Sequence, residues 1–175
     1  LVAGISWKYI FAAAVLAPVG LWFVWNFIMQ NHHRMRFLVV FDQSVDVDGI
    51  YTYQINTGLT ALGSGQLMGK GLFGAEYTYV PEIWNDYIFS FIGMSTGFLG
   101  CMTVVILLGL ICMRLISNIS GATDTLGKMI VTGVFAMIIF HSIINIGMVL
   151  GVTPVVGIPL LFFSAGGTSI LTTFI

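Results

Sequence analysis

Two carboxylates mark the junction where a long polar stretch gives way to an apolar run. Residues 81–90 read PEIWNDYIFS and place Glu82 and Asp86 beside Trp84 and Tyr87. A carboxylate within hydrogen-bond reach of a hydroxyl can remove its proton as a general base. Asp is also a favoured residue at a helix N-terminus, where its oxygens accept backbone N–H groups. The stretch therefore predicts either a catalytic Asp86 or a helix cap.

A second polar pair lies inside an apolar run. His141 and Asn145 are four residues apart, so on a helix they share one face. Polar side chains within a membrane span usually face the interior of the helix bundle. The pair indicates hydrogen bonds between helices, with the lining of a cavity as the alternative. The sequence shows no metal-ligand spacing, because His32 and His33 are adjacent and their side chains point apart.

The composition is that of an integral membrane protein. Charged residues make up 7% of the chain, against about 25% in typical soluble domains. Hydrophobic residues reach 58%, and the mean hydropathy is +1.01. The net charge is −1 and no basic run occurs, which excludes nucleic acid as a predicted partner. Cys101 and Cys112 lie in one apolar run and do not indicate a disulfide framework.

Four apolar runs predict transmembrane helices. Runs at about 9–29, 87–113 and 129–152 reach the roughly 20 residues that cross a bilayer. A fourth helix is predicted at 168–175, where the sequence ends. Pro154, Gly157 and Pro159 predict a broken, partly re-entrant backbone before it, of the kind that survives at membrane depth when buried in protein. The predicted fold is an all-α, polytopic helical bundle.

The polar stretch and the second run carry further structural signals. Residues 30–86 hold six of the seven acidic residues and predict one large structured loop, with short helices lying along the membrane surface. Gly93, Gly97 and Gly100 lie three and four residues apart in the second run. They predict a helix face that another segment approaches closely.

Three stretches together resemble the SEDS family (shape, elongation, division and sporulation), whose members include RodA and FtsW. Residues 57–74, TGLTALGSGQLMGKGLFG, are similar to the family's IAIGSGGxxGKGxxxG. Residues 80–90, followed by GFLG at 97–100, are similar to LPExHTDFIFS and GFxG. Residues 145–169 are similar to NIGMxxGLLPVTGIPLPFISYGGSS. The order and spacing match, and Lys70 and Met148 favour the RodA side.

The resemblance implies a fold, a reaction and partners. Family members have about ten helices of bilayer length in the bacterial inner (plasma) membrane. They polymerise lipid II into glycan strands, in cell elongation or division, with a class B penicillin-binding protein. By this analogy residues 1–175 are the C-terminal part of one SEDS membrane domain, and the loop 30–86 lies outside the cytoplasm. We expect such a fragment to be inactive alone.

The family's catalytic aspartate corresponds to Asp86. The resemblance extends the predicted substrate site to further side chains, which are Lys70, Glu82, Arg34, Arg36, Asn145 and Ser164. Cationic groups among them would bind the lipid diphosphate, as a lysine does when it acts as a point charge. Solvated or snorkelling side chains are the simpler explanation for Lys70, Arg34 and Arg36. For Glu82, a solvated turn is the simpler explanation. No cofactor is required, although a divalent cation shared by diphosphate and a carboxylate stays open.

This chain departs from the family pattern next to the aspartate. Trp84 and Asn85 replace the family's His-Thr, and Leu161 replaces a proline of IPLPF. These departures keep two alternatives open. A flippase for lipid-linked precursors needs a polar cavity and a cationic headgroup site but no carboxylate. A non-catalytic scaffold for a penicillin-binding protein would bury Asp86 away from any groove.

Overall fold

A computed structural model describes residues 7–46, 48–72, 78–121 and 124–165. Within these ranges all regular structure is helical, which confirms the predicted all-α class. Five α-helices follow in chain order: α1 (Trp7–Phe23), α2 (Asn31–Phe41), α3 (Ile50–Ser64), α4 (Ile88–Gly121) and α5 (Thr125–Val149). A π-helical turn, Val24–Ile28, extends α1, and a short 3₁₀ turn, Gln43–Val45, separates α2 from α3.

Three segments of the described chain are long and apolar enough to span a membrane. They are Trp7–Ile28 with 22 residues, Ile88–Gly121 with 34 and Thr125–Val149 with 25. The predicted runs at 9–29, 87–113 and 129–152 correspond to them. The helix α4 continues past Arg114 because no glycine or proline interrupts the chain before Gly121. The helix predicted at 168–175 lies outside the described residues.

The polar stretch between the first two spans is folded, as predicted, and α3 is its main element. Gly58 of α3 lies against Tyr87 and Ser90, and Gly65 lies against Gly93. Successive positions of α3 therefore meet successive positions of α4, so the two helices run side by side in the same direction. The helix α3 therefore packs along the first part of α4, and the prediction that short helices of this stretch lie along the membrane surface stays a prediction.

The helix α4 is interrupted at Gly97, and the backbone groups around this interruption form hydrogen bonds with the loop that follows α3. Gly97 has φ 71° and ψ −165°, a conformation that glycine adopts without strain. The break frees two carbonyl groups, and Met94 O accepts the N–H of Lys70 (2.9 Å) while Ser95 O accepts that of Gly71 (2.9 Å). In return Phe98 N–H donates to Gln66 O (2.8 Å) and Leu99 N–H to Leu67 O (3.3 Å). We call these four bonds the Gly97 junction.

Residues 150–165 form an irregular segment, which confirms the predicted break in helical structure. Gly151 and Gly157 both have φ near +70°, a left-handed conformation that favours glycine. Val155, Leu160 and Leu161 are nonetheless buried. The segment is thus packed irregular backbone, and it lies against the turn that carries Glu82 and Asp86.

Candidate active site

The turn at residues 81–87 is built around one carbonyl group. Glu82 O accepts the N–H groups of Asn85 (3.1 Å), Asp86 (3.1 Å) and Tyr87 (3.3 Å). Glu82 itself has φ +54°, which is uncommon for a residue with a side chain. Such strained residues persist where the surrounding structure holds them, often at functional sites. The turn therefore presents its side chains in one fixed arrangement.

Asp86 does not occupy the cap position of α4. The first helical bond at this end runs from Phe91 N–H to Tyr87 O (3.2 Å), so Tyr87 is the residue that begins the helix. An N-cap residue is the one whose carbonyl accepts that first bond. Asp86 lies one position further out, which removes the simplest structural explanation for its carboxylate.

Asn145 fixes the backbone of Asp86 from the opposite side of the bundle. Its side chain is fully buried, and its Nδ2 donates to Asp86 O (2.7 Å) and to Ile158 O (2.8 Å). One amide thereby joins α5, the turn at residues 81–87 and the irregular segment. The predicted bond to another element is present for Asn145, whereas His141 Nδ1 contacts Met137 O of its own helix (2.8 Å). The Oδ1 atom of Asn145 has no partner within the described part of the chain.

Ser164 makes a parallel connection one residue earlier in the turn. Its hydroxyl donates to Asn85 O (2.7 Å) and accepts the N–H of Leu160 (2.9 Å). The next residue, Ala165, donates its N–H to Trp84 O (3.0 Å). Asn145 and Ser164 thus both contact the backbone beside Asp86, and neither side chain is exposed.

The carboxylate of Asp86 is half-buried between charges of opposite sign. Its Oδ2 atom lies against Gly157, where an added Cβ would stand 3.1 Å away. Burial raises the pKa of Asp86 above its ordinary value, and the negative charge of Glu82 raises this pKa further. The positive charge of Arg36 lowers it. These are the conditions that bring a carboxyl pKa towards that of a working base.

The two arginines of α2 have different positions. Arg36 donates from Nη1 to Val155 O (3.2 Å), and its guanidinium carbon lies 5.4 Å from the centroid of the Tyr51 ring. This places Arg36 at the irregular segment near Asp86. Arg34 instead donates to Asn26 O (3.0 Å) at the end of the π-helical turn, where a basic side chain satisfies a terminal carbonyl.

Lys70 belongs to the Gly97 junction. Its backbone is bonded to Met94, six residues after the first residue of α4. At about 1.5 Å per residue, this is roughly 9 Å along the helix axis from Ile88. The structure therefore brings Arg36, Glu82, Asn145 and Ser164 to the neighbourhood of Asp86. The backbone of Lys70 lies further along α4, and Arg34 contacts Asn26.

A groove of about 480 Å³ opens on the other side of the turn. Glu82, Trp84 and Asn85 line it together with Tyr79 and Phe91. Asp86 is not part of this lining, but it stays partly exposed next to two residues that are. The burial away from any groove that a scaffold would require is not observed.

The structure adds features that the sequence analysis did not assign. Gly157 provides the space beside the Asp86 carboxylate, and the Tyr51 ring makes a cation–π contact with the guanidinium of Arg36. Gly157 was noted only as a backbone breaker, although its place in the third matching stretch was a usable signal. Within the described residues, no group of three or more His, Cys, Asp or Glu side chains comes close enough to hold a metal ion.

Fold and site together define a multi-pass, all-helical membrane protein that holds a half-buried carboxylate in an extramembrane turn. A family model described as "Cell cycle protein", for FtsW, RodA and SpoVE proteins, matches residues 1–175. The chain belongs to this family, which confirms the resemblance seen in the sequence.

Curated relatives and one solved structure agree with this assignment. The chain is 33% identical over 172 residues to the peptidoglycan glycosyltransferase MrdB of Escherichia coli K12, covering 97% of this chain and 46% of that protein. It is 33% identical over 151 residues to the peptidoglycan glycosyltransferase RodA of Treponema pallidum, covering 85% and 35%. A chain of a peptidoglycan synthase complex superposes with a TM-score of 0.70 at 26% identity, covering 97% and 46%. The chain thus spans less than half the length of these relatives.

Proposed function

We propose that this chain carries the catalytic turn of a peptidoglycan glycosyltransferase that polymerises lipid II in the bacterial plasma membrane. The observation that supports this most is the arrangement of Asp86. Its carboxylate is half-buried, its backbone is fixed by Asn145, and Arg36 lies near it. The relatives named above carry this activity in their names.

In the proposed reaction Asp86 is the general base. It removes the proton from the acceptor sugar hydroxyl while that oxygen bonds to the anomeric carbon of the lipid-linked donor. The bond from this carbon to the diphosphate breaks, and its electron pair leaves with the lipid diphosphate. A diphosphate needs less acid assistance than a sugar oxygen does, so a second carboxylic acid of the glycosidase type is unnecessary.

The remaining predicted residues take supporting roles in this proposal. Arg36 lies nearest to Asp86 and stabilises the departing diphosphate, since a guanidinium binds phosphate oxygens bidentately. Lys70 and Arg34 bind more distant anionic parts of the lipid. Glu82 contacts the sugar. Asn145 and Ser164 act indirectly, because they hold the backbone of the turn that presents Asp86 to the substrate. The protein acts with a class B penicillin-binding protein as its partner.

The test is polymerisation of labelled lipid II by the full-length parent protein with its partner, comparing wild type with Asp86→Asn. We expect loss of polymer in the variant, with lipid II binding and expression retained. Asp42→Asn is the matched control, because this carboxylate of the same loop is exposed and accepts hydrogen bonds from the backbone N–H and hydroxyl of Ser44.

Stability of the variant separates chemistry from folding. Because burial raises the pKa of Asp86, the folded state favours the protonated carboxyl, and the charge at neutral pH opposes folding. Asp86→Asn removes this charge, so its unfolding temperature at pH 7 should equal or exceed that of wild type. Equal polymer from both proteins would remove Asp86 from the mechanism and favour a flippase. No polymer from either would favour transport or scaffolding.

A further inference from the structure

The groove beside the catalytic turn contains an aromatic side chain in an unusual position. Trp84 is 56% exposed, although it belongs to a turn whose backbone is held at several points. Its ring centroid lies 4.6 Å from that of Phe91 on α4, which supports the indole from within the protein. The carbonyl of Trp84 accepts the N–H of Ala165 at 3.0 Å. Backbone and ring are both fixed, so the exposed face of Trp84 is a rigid apolar platform.

Polar groups stand next to this platform. Asn85 Nδ2 donates to Glu82 Oε2 (2.9 Å), and both residues line the groove beside Trp84. Paired in this way, the amide and the carboxylate still offer further donors and acceptors to a ligand. An aromatic face flanked by such groups matches a pyranose ring, which has an apolar C–H face and a rim of hydroxyls.

The groove also has the dimensions of a ligand site. Its volume of about 480 Å³ lies within the range of roughly 300–1,000 Å³ that small-molecule sites occupy. Its walls are mainly apolar with a few polar groups, which is the usual composition of such sites. Asp86 does not line it, so a ring bound there is not the ring that reacts.

We propose that Trp84, with Glu82 and Asn85, forms a subsite for a non-reacting sugar ring of the lipid-linked glycan. This inference rests on the proposed glycosyltransferase function, and it assigns the subsite to the residues in which this chain departs from the family's His-Thr. The subsite contributes to substrate affinity and selectivity, whereas Asp86 carries the chemistry.

Steady-state polymerisation by the full-length protein with its partner tests the subsite through three variants. Trp84→Leu keeps an apolar side chain against Phe91 but removes the flat face. We expect its KM for lipid II to rise about tenfold, the equivalent of about 1.4 kcal/mol, with kcat within about twofold of wild type. Trp84→Phe should retain most of the affinity. Trp84→His introduces the residue that the family pattern has at this position. Trp22→Leu is the control, since Trp22 is an exposed tryptophan of α1 that does not line the groove.

A binding measurement keeps this inference separate from the proposed function. Chitotriose, a soluble trimer of N-acetylglucosamine, is titrated into the wild-type protein and the Trp84→Leu variant in detergent, and binding is followed by calorimetry. Saturable binding that weakens in Trp84→Leu supports the subsite, even if the wild type does not polymerise lipid II. Unchanged chitotriose binding and unchanged KM in Trp84→Leu would overturn the subsite while leaving Asp86 catalysis intact. A fall in kcat with constant KM would also overturn it.

Discussion

At the scale of single residues, the environment of Asp86 is set by one neighbour in the same turn and by two from distant parts of the sequence. Glu82 comes from the same turn, Arg36 from α2 and Gly157 from the irregular segment. Burial and Glu82 raise the pKa of Asp86, while Arg36 lowers it. In the proposed mechanism Asp86 must be deprotonated to act as the base, so the charges of Glu82 and Arg36 would tune the lowest pH at which the site works.

Substitutions of the two charged neighbours should shift the pH profile in opposite directions. The acidic limb of kcat/KM reports the pKa of the base in the free enzyme, and Asp86 should place it above the ordinary Asp value of about 3.9. Glu82→Gln removes a charge that raises this pKa, so the limb should move to lower pH. Arg36→Gln removes a charge that lowers it, so the limb should move to higher pH.

The measurement is kcat/KM for lipid II polymerisation across a pH series in constant ionic strength. Asp42→Asn is again the control, because Asp42 is exposed and the pKa of Asp86 does not depend on it. If the acidic limb moves in the same direction in Glu82→Gln and Arg36→Gln, or moves in neither variant, Asp86 is not the titrating base.

At the scale of elements, the Gly97 junction positions the loop that carries Lys70. A Cβ at Gly97 would stand 2.4 Å from Gly69 N, closer than real side chains approach, and its φ of +71° disfavours any other residue. A Cβ at Gly69 would collide with the Ser95 carbonyl group. Both glycines are therefore required by space as well as by conformation.

Alanine at Gly97 should loosen the junction. We expect Gly97→Ala to lower the free energy of unfolding by about 2–4 kcal/mol, because backbone strain adds to the loss of well-aligned hydrogen bonds. Gly109→Ala in the same helix is the matched control. Nothing lies within 4 Å of a Cβ there, and a helical Gly→Ala change gains up to about 1 kcal/mol. Thermal unfolding of the full-length parent in detergent measures both, and equal stability of the two variants would contradict the role of the junction.

The sequence predicts those features of the elements that depend on neighbouring residues, and it does not predict contacts between residues far apart in the chain. Hydropathy places the spans, because burial in lipid requires continuous apolar residues. The glycine spacing of α4 predicts a close approach, and the structure confirms it at Gly93 and Gly97. The four bonds of the Gly97 junction cannot be predicted from the sequence, because they join backbone atoms 24 or 32 residues apart and no side-chain pattern marks them. The sequence predicts that Lys70 binds the diphosphate, and this stays a prediction; the structure adds that its backbone bonds to Met94, six residues into α4.

At the scale of the whole molecule, the apolar surface of the chain is incompletely covered. None of the residues in the most apolar window of α1 is buried, and the corresponding shares in α4 and α5 are 17% and 11%. A groove of about 390 Å³ lies between α3, α4 and the end of α5, and one of about 490 Å³ lies between α4 and α5. The two apolar grooves adjoin and share Val105, Ile146 and Leu150. Packing between helices in a membrane depends on close van der Waals contact, which these faces do not make within the described residues.

This incomplete packing predicts how residues 1–175 behave when they are produced alone. A cooperative transition requires that elements share buried contacts, as α3, α4 and α5 do around Tyr87, Met94 and Met148. The exposed α1 shares few of them, so we expect a broad thermal transition in detergent in which α1 and the three-helix core respond separately. Tryptophan fluorescence can follow both, because a Trp84→Phe variant keeps only Trp7, Trp22 and Trp25 of the α1 region as reporters, and its difference from wild type reports on the turn. The full-length parent protein is the comparison and should unfold over a narrower range. A single sharp transition of residues 1–175, with both regions changing together, would show that the contacts described here suffice for an independent fold.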